Sequence, residues 1–265
     1  MPNHDNESLI FIHIGKTAGT TLRAILQDIY NDDETYLLYP GEPGYNDFND
    51  FLALSEEQKE GIKLFCGHIA YGLHRRLSGP TTYITVLRDP VERTISNYYE
   101  VKKVLKQQQK NTPLYGDFHK AARMDIEEFI SSGIMSYLTH NHQVQMVANS
   151  RPMGQCSAAD LAKAKENLIS SFSVVGLTER FDETIVLLRK RFGWSIRGYA
   201  NKNVAQQRSR AEDLPKTTLE LIREHNRLDM ELYRFAEELF EEQLAKQDAV
   251  AFRKEVMELK EMKAS

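Results

Sequence analysis

The segment Leu9-Ile10-Phe11-Ile12-His13-Ile14-Gly15-Lys16-Thr17-Ala18-Gly19-Thr20-Thr21-Leu22 changes character at its midpoint. Leu9 to Ile14 is a short β-branched apolar run, the pattern of a parallel strand covered on both faces. Gly15 to Thr21 follows as a turn. Leu22, Ile25, Leu26 and Ile29 then recur at helical spacing, which predicts a helix through Tyr30.

Working outward, the same alternation returns. Lys63 to Cys66 and Thr81 to Leu87 read as strands, the latter running into Arg88-Asp89-Pro90 and a helix from about Val91, with Pro90 suited to its first turn. Ser173 to Leu177 is a further strand. Phe181 to Phe192 is a helix with Ile185, Leu188 and Phe192 along one face. Residues 31–60 carry Pro-Gly turn signals and then a polar helix around Ser55 to Lys63, N-capped by Ser55; they read as peripheral. Residues from about 100 to 160 are predicted helical. Helix resumes from about Thr217, with Leu221, Leu228, Leu232, Phe235 and Leu239 available to pack, whereas residues 245–265 are expected to project or fray. The order predicts an α/β fold of three layers around a central, mainly parallel sheet, similar to that of the P-loop nucleotide triphosphatases, with a helix-rich insertion and C-terminal helices.

At 265 residues the chain is long enough for one large domain, the reading adopted here. Its net charge of −4 gives no global attraction to nucleic acid, so any anion site must come from local donors. The two cysteines, Cys66 and Cys156, form neither a disulfide framework nor a C-x-x-C metal motif, which fits a reducing compartment. The polar opening and the brevity of the first apolar run predict no leader and no membrane span, hence a cytoplasmic protein.

The turn is built for an anion. Backbone N–H groups at a helix N-terminus are unpaired, Lys16 adds a positive charge, Thr17, Thr20 and Thr21 add hydroxyls, and Ala18 and Gly19 keep the turn small, Gly19 permitting close backbone approach. A nucleotide-triphosphatase loop requires glycine where Ile10 stands, so that pattern fails. The heptapeptide instead resembles the donor loop of sulfotransferases, with Gly15 in place of the usual proline. A second signal is Thr85-Val-Leu-Arg88-Asp-Pro-Val-Glu-Arg93-Thr-Ile-Ser96-Asn-Tyr-Tyr99. Arg88 at the strand end offers a two-pronged phosphate contact, and Ser96, about two turns into the helix, adds a hydroxyl. Arg93 reads as the partner of a surface acid.

With FIHIGKTAGTTL, CGHIAYGL, TVLRDPVERTISNYY, VVGLTERFDETIVLL and HNRLDMELYRFA in place, most of the chain resembles the heparan-sulfate-2-O-sulfotransferase-like group of carbohydrate sulfotransferases, sulfotransferase family 2. The resemblance implies transfer of a sulfuryl group from 3′-phosphoadenosine 5′-phosphosulfate to a hydroxylated acceptor, such as a saccharide, without a metal. It implies that Lys16 and the turn stabilise the leaving phosphate and that Arg88 and Ser96 hold the 3′-phosphate. Arg208, in the late Asn201–Arg210 loop, is implied as a third phosphate contact. His68, in Gly67-His68-Ile69-Ala70-Tyr71, matches the family's catalytic base; some members carry a second histidine two residues earlier, where this chain has Cys66. The helical region from about 100 to 160 is where the acceptor is expected.

Two other functions fit parts of the pattern: a nucleotide-dependent kinase with Asp89 on magnesium, and an inactive homologue that binds nucleotide or saccharide without chemistry. His140-Asn141-His142 lacks partners at metal spacing and reads as a surface loop or helix start. Lys102, Lys103, Lys106 and Lys110 read as a solvated helix face.

Overall fold

The structure, a computed structural model, describes residues 7–39, 45–106, 115–152, 154–196, 198–200 and 211–264. Strand β1 (Ser8–Ile12) leads into helix α1 (Gly19–Ile29), followed by β2 (Thr35–Leu38), α2 (Phe48–Ala53), α3 (Glu56–Glu60), β3 (Leu64–Gly67) and β4 (Thr81–Leu87). A helical excursion then runs through α4 (Pro90–Lys106), α5 (Tyr115–Ala121), α6 (Ile126–Ser131), α7 (Ser136–Thr139), α8 (His142–Ala148) and α9 (Ala158–Ser171). The chain re-enters the sheet as β5 (Phe172–Leu177) and finishes with α10 (Phe181–Phe192), α11 (Lys216–His225), α12 (Arg227–Ala245) and α13 (Ala249–Ala264).

The described strands form one parallel sheet in the order β2-β3-β1-β4-β5. Central β1 pairs Ile12 with Gly67 of β3 on one side and with Thr85 of β4 on the other. Leu9 to Ile12, Phe65, Cys66 and Tyr83 to Leu87 are buried, as expected of strands covered on both faces. β1 is also where the strand order switches direction, because the chain goes first to the β2–β3 side and then crosses to β4. The crevice outside the carboxyl ends at such a point is where open parallel sheets place ligands.

Several boundaries differ from expectation. The segment before Ser55 contains an edge strand, β2, that the sequence reading did not include. Ser55 does cap a helix, in a reciprocal capping box with Gln58, but that helix stops at Glu60. The C-terminal segment expected to project instead packs: Phe252, Val256 and Leu259 of α13 are buried, and Lys190 of α10 pairs with Glu255. Their spacing places three apolar side chains on one face of α13. A second apolar cluster, including Val91, Ile95, Phe129, Ile130, Met135 and Ile222, holds α4 to α7 and α11 together, whereas α8 and α9 pack into the core of the sheet.

Candidate active site

Lys16, His68 and Arg88 follow β1, β3 and β4, so the strand order delivers all three to the carboxyl ends of neighbouring strands. The β1–α1 turn bends through left-handed backbone at Lys16 (φ 71°) and Ala18 (φ 62°). Both are non-glycine residues, so the turn carries strain of roughly 1–2 kcal/mol at each. Left-handed positions alternating with right-handed ones curl successive N–H groups into an anion-binding concavity. No side chain caps α1 and its first turn holds no acid, leaving the helix dipole to favour an anion. Thr17 spends its hydroxyl hydrogen on the Ile14 carbonyl at 2.8 Å, and Thr21 is buried, so Thr20 is the half-exposed threonine of the turn.

Gly19 has a different role from the one expected. A Cβ there would lie 1.9 Å from Cδ2 of His13, so the imidazole, rather than a ligand, occupies the space the missing side chain leaves. His13 is buried and its Nδ1 lies 2.7 Å from the Tyr39 hydroxyl, which in turn lies 3.3 Å from Cys66 Sγ. Burial, then the neighbouring charges of His68, Arg23 and Lys16, hold the His13 pKa well below the ordinary histidine value, so the ring is neutral. Burial also pushes the Cys66 thiol up to about 12. His13 was read as a strand residue; a lone imidazole inside an apolar run was the available signal.

His68 is exposed, and its Nδ1 lies 2.7 Å from the His13 carbonyl oxygen. A carbonyl only accepts, so Nδ1 carries the hydrogen and Nε2 carries the lone pair. The His68 and His13 rings lie 4.6 Å apart, and Tyr39 stands edge-on to His68 at 4.9 Å.

Arg88 is 11% exposed, and its Nη1 donates to the Lys16 carbonyl at 3.0 Å. Nη2 lies 3.4 Å from Glu92 and Nε 3.9 Å from Glu179. Its backbone is clamped at both polar groups by the Gln143 amide, which accepts from Arg88 N and donates to Arg88 O, each at 2.9 Å. Gln143 N and Val144 N donate to the buried Asp229 carboxylate, fixing the start of α8. Neither Gln143 nor Asp229 was singled out from sequence, because each acts across more than fifty residues.

Lys16 Nζ pairs with Glu100 on α4 at 2.9 Å. Ser96 lies one turn before Glu100 on the same helix face, so the pair brings Lys16 to the face carrying that hydroxyl. Lys16, Arg88 and His68 thus lie at one end of the sheet, and α4, which carries Ser96, is joined to Lys16 through Glu100. Arg93 does not pair with a surface acid: it is 1% exposed, donates to the Leu138 carbonyl at 2.9 Å and faces the charge of buried Asp229. Asp89 accepts from Glu92 N at 2.9 Å, so it caps α4. His140 and His142 make ring-nitrogen bonds to the carbonyls of Ile130 and Tyr137, and His142 is a buried helix-start residue. Lys102 is bonded to the Met124 carbonyl and Lys103 to Glu100, so that face is partly engaged. Arg208 lies outside the described residues, as do Lys110 and residues 201–210 as a whole. Among the described residues, no helix is long and apolar enough to cross a membrane.

Comparison with known proteins adds to this geometry. The galactose-3-O-sulfotransferase family model matches residues 2–265. Galactose-3-O-sulfotransferase 3 of Mus musculus is 24% identical over 280 residues, covering 98% of this chain and 62% of its own length. Galactosylceramide sulfotransferase of Mus musculus is 27% identical over 245 residues, covering 85% of this chain and 55% of its own. Heparan sulfate 2-O-sulfotransferase 1 of Gallus gallus is 23% identical over 276 residues, covering 91% and 72% respectively. The chain therefore spans about three fifths of the length of the galactose-directed relatives. Because the family match runs through the β1–α1 turn and all three strand ends, the chain belongs to the galactose-3-O-sulfotransferase family.

Proposed function

We propose that the protein transfers a sulfuryl group from 3′-phosphoadenosine 5′-phosphosulfate to a saccharide hydroxyl, with His68 as the base. The reading is carried by the convergence of the strained turn at Lys16, the Arg88 guanidinium and the outward-facing His68 imidazole on adjacent strand ends. The relatives' names specify galactose, galactosylceramide and heparan sulfate, which supports a saccharide acceptor.

The turn suits a phosphosulfate on two observations: its helix start lacks a side-chain cap, and its backbone is left-handed at Lys16 and Ala18, a conformation found in anion-binding concavities. Lys16 and these N–H groups hold the 5′ end, and Arg88 with Ser96 holds the 3′-phosphate. When bound, the donor supplies the sulfuryl group, whose bond to the phosphate oxygen breaks as the acceptor oxygen bonds to sulfur. His68 Nε2 takes the hydroxyl proton, the Nδ1–H donated to the His13 carbonyl keeping that nitrogen basic. The resulting imidazolium sits beside a neutral His13 ring. Lys16 stays near the developing negative charge on the leaving oxygen.

The test is transfer of labelled sulfate from the donor to a panel of saccharides. His68→Asn is expected to reduce turnover by about 10²–10⁴ while adenosine 3′,5′-bisphosphate still raises its melting temperature. Full turnover by this variant would overturn the base assignment. Absence of transfer together with no thermal response to the bisphosphate would overturn the reading as a whole.

A further inference from the structure

Arg23 lies on α1 one turn beyond Gly19 and is half-buried. Its Cζ stands 4.8 Å from the centroid of the Tyr39 ring and 5.3 Å from that of Tyr45. The two tyrosine rings are 5.1 Å apart and inclined at 59°, so they form a walled corner with the guanidinium across its faces. Tyr39 also stands 4.9 Å from His68, so one aromatic ring separates the guanidinium from the proposed base.

Among the described residues, no carboxylate pairs with Arg23, whereas Lys16, Arg88, Arg180 and Lys190 each pair with glutamate. A guanidinium is permanently charged and carries five donors; the two rings stabilise its charge and the Tyr39 hydroxyl accepts from it, a neutral partner with fewer acceptor sites than a carboxylate. Its fork fits an anionic oxygen group with two acceptors.

We propose that Arg23 is a subsite for an anionic group, a carboxylate or a sulfate ester, carried by the acceptor beside the hydroxyl that faces His68. Tyr39, itself buried, and Tyr45 hold the guanidinium in place, and the half-buried Tyr45 offers a ring face to the sugar. This inference rests on the sulfotransferase reading and narrows its substrate class from saccharides in general to acidic ones.

Three matched acceptors test it: a neutral galactoside, its galacturonide counterpart and its sulfate-ester counterpart, each assayed with labelled donor at low salt. The wild-type protein is expected to favour at least one acidic acceptor by about tenfold in kcat/KM, mainly through KM. Arg23→Gln is expected to lower the acidic-to-neutral ratio by about tenfold, with Arg23→Lys between the two. The ratio is taken within one protein preparation, so partial misfolding of a variant cancels from it. Preference for one acidic acceptor alone distinguishes carboxylate from sulfate ester and supports the subsite. Equal use of all three by the wild type, or a ratio unchanged in Arg23→Gln, overturns the subsite and leaves the transfer reading standing. Sulfation of none of them by a protein that adenosine 3′,5′-bisphosphate does not stabilise overturns both.

Discussion

Arg88 Nη1 donates to the backbone carbonyl of Lys16 at 3.0 Å, so the residue that ends β4 braces the turn that follows β1. The brace acts on backbone, which leaves the Lys16 ammonium available to reach across to α4. Arg88 is itself held from behind, through Gln143 and Asp229, by α12.

Gln143→Leu removes both bonds to the Arg88 backbone and leaves a part-buried N–H and C=O without that partner. The expected cost is about 2–3 kcal/mol in urea unfolding, together with roughly tenfold weaker binding of adenosine 3′,5′-bisphosphate as Arg88 loosens. Calorimetric titration showing undiminished affinity would mean that the clamp supports the fold without positioning Arg88.

Glu100 competes with any anion for Lys16. The pair is part-exposed, at 23% and 48% for its two side chains, so it is worth at most about 1 kcal/mol. Glu100→Gln is therefore expected to tighten bisphosphate binding by about threefold, with Lys16→Ala weakening it by tenfold or more. Weaker binding in Glu100→Gln would show that the carboxylate orients the lysine productively.

The contact between Gly19 and His13 predicts strong coupling. Gly19→Ala alone is expected to cost about 3 kcal/mol, because its methyl group meets a buried ring that cannot retreat. In a His13→Ala background the same change should cost at least 1 kcal/mol less. Additive losses in denaturant titrations of the four proteins would argue that the turn shifts instead of the ring.

Acid should destabilise the fold before its carboxylates titrate. Burial, then the charge of Arg93, pushes the His142 pKa down to about 3, and His13 is lowered in the same direction. Their folded values lie below the unfolded value near 6.5, so the unfolded chain binds more protons below that pH. Stability is full above about pH 6.5 and falls toward pH 3 by about 1.4 kcal/mol per pH unit for His142, with His13 adding to the decline in the same direction. His142→Asn, whose amide can still donate to the Tyr137 carbonyl, should be less stable at pH 7 but show a shallower decline. An unaltered slope between pH 6.5 and 5 would show that His142 already carries a proton in the folded protein.

Local pattern made the centre of the fold legible. Thr81–Leu87 and Phe181–Phe192 match their elements to the residue because their apolar periods are clean and Arg88-Asp89-Pro90 punctuates the first. β2 was missed because Thr35-Tyr36-Leu37-Leu38 is four residues long and half-buried, and is a strand only by virtue of its pairing with β3. Lys16, His68, Arg88 and Ser96 were singled out by resemblance. Their supports were not: Gln143 meets Arg88 across 55 residues and Glu100 meets Lys16 across 84, distances over which spacing carries no signal. Gly19 was read correctly as a glycine needed at a close approach, but the approaching group is His13.

Within the helical excursion between β4 and β5, α4 to α7 keep an apolar cluster of their own, whereas α8 and α9 pack into the core of the sheet whose strands lead to Lys16, His68 and Arg88. A change confined to α5–α7 would leave the three strand ends, Ser96 and Glu100 on α4, and the Gln143 clamp on Arg88 in place.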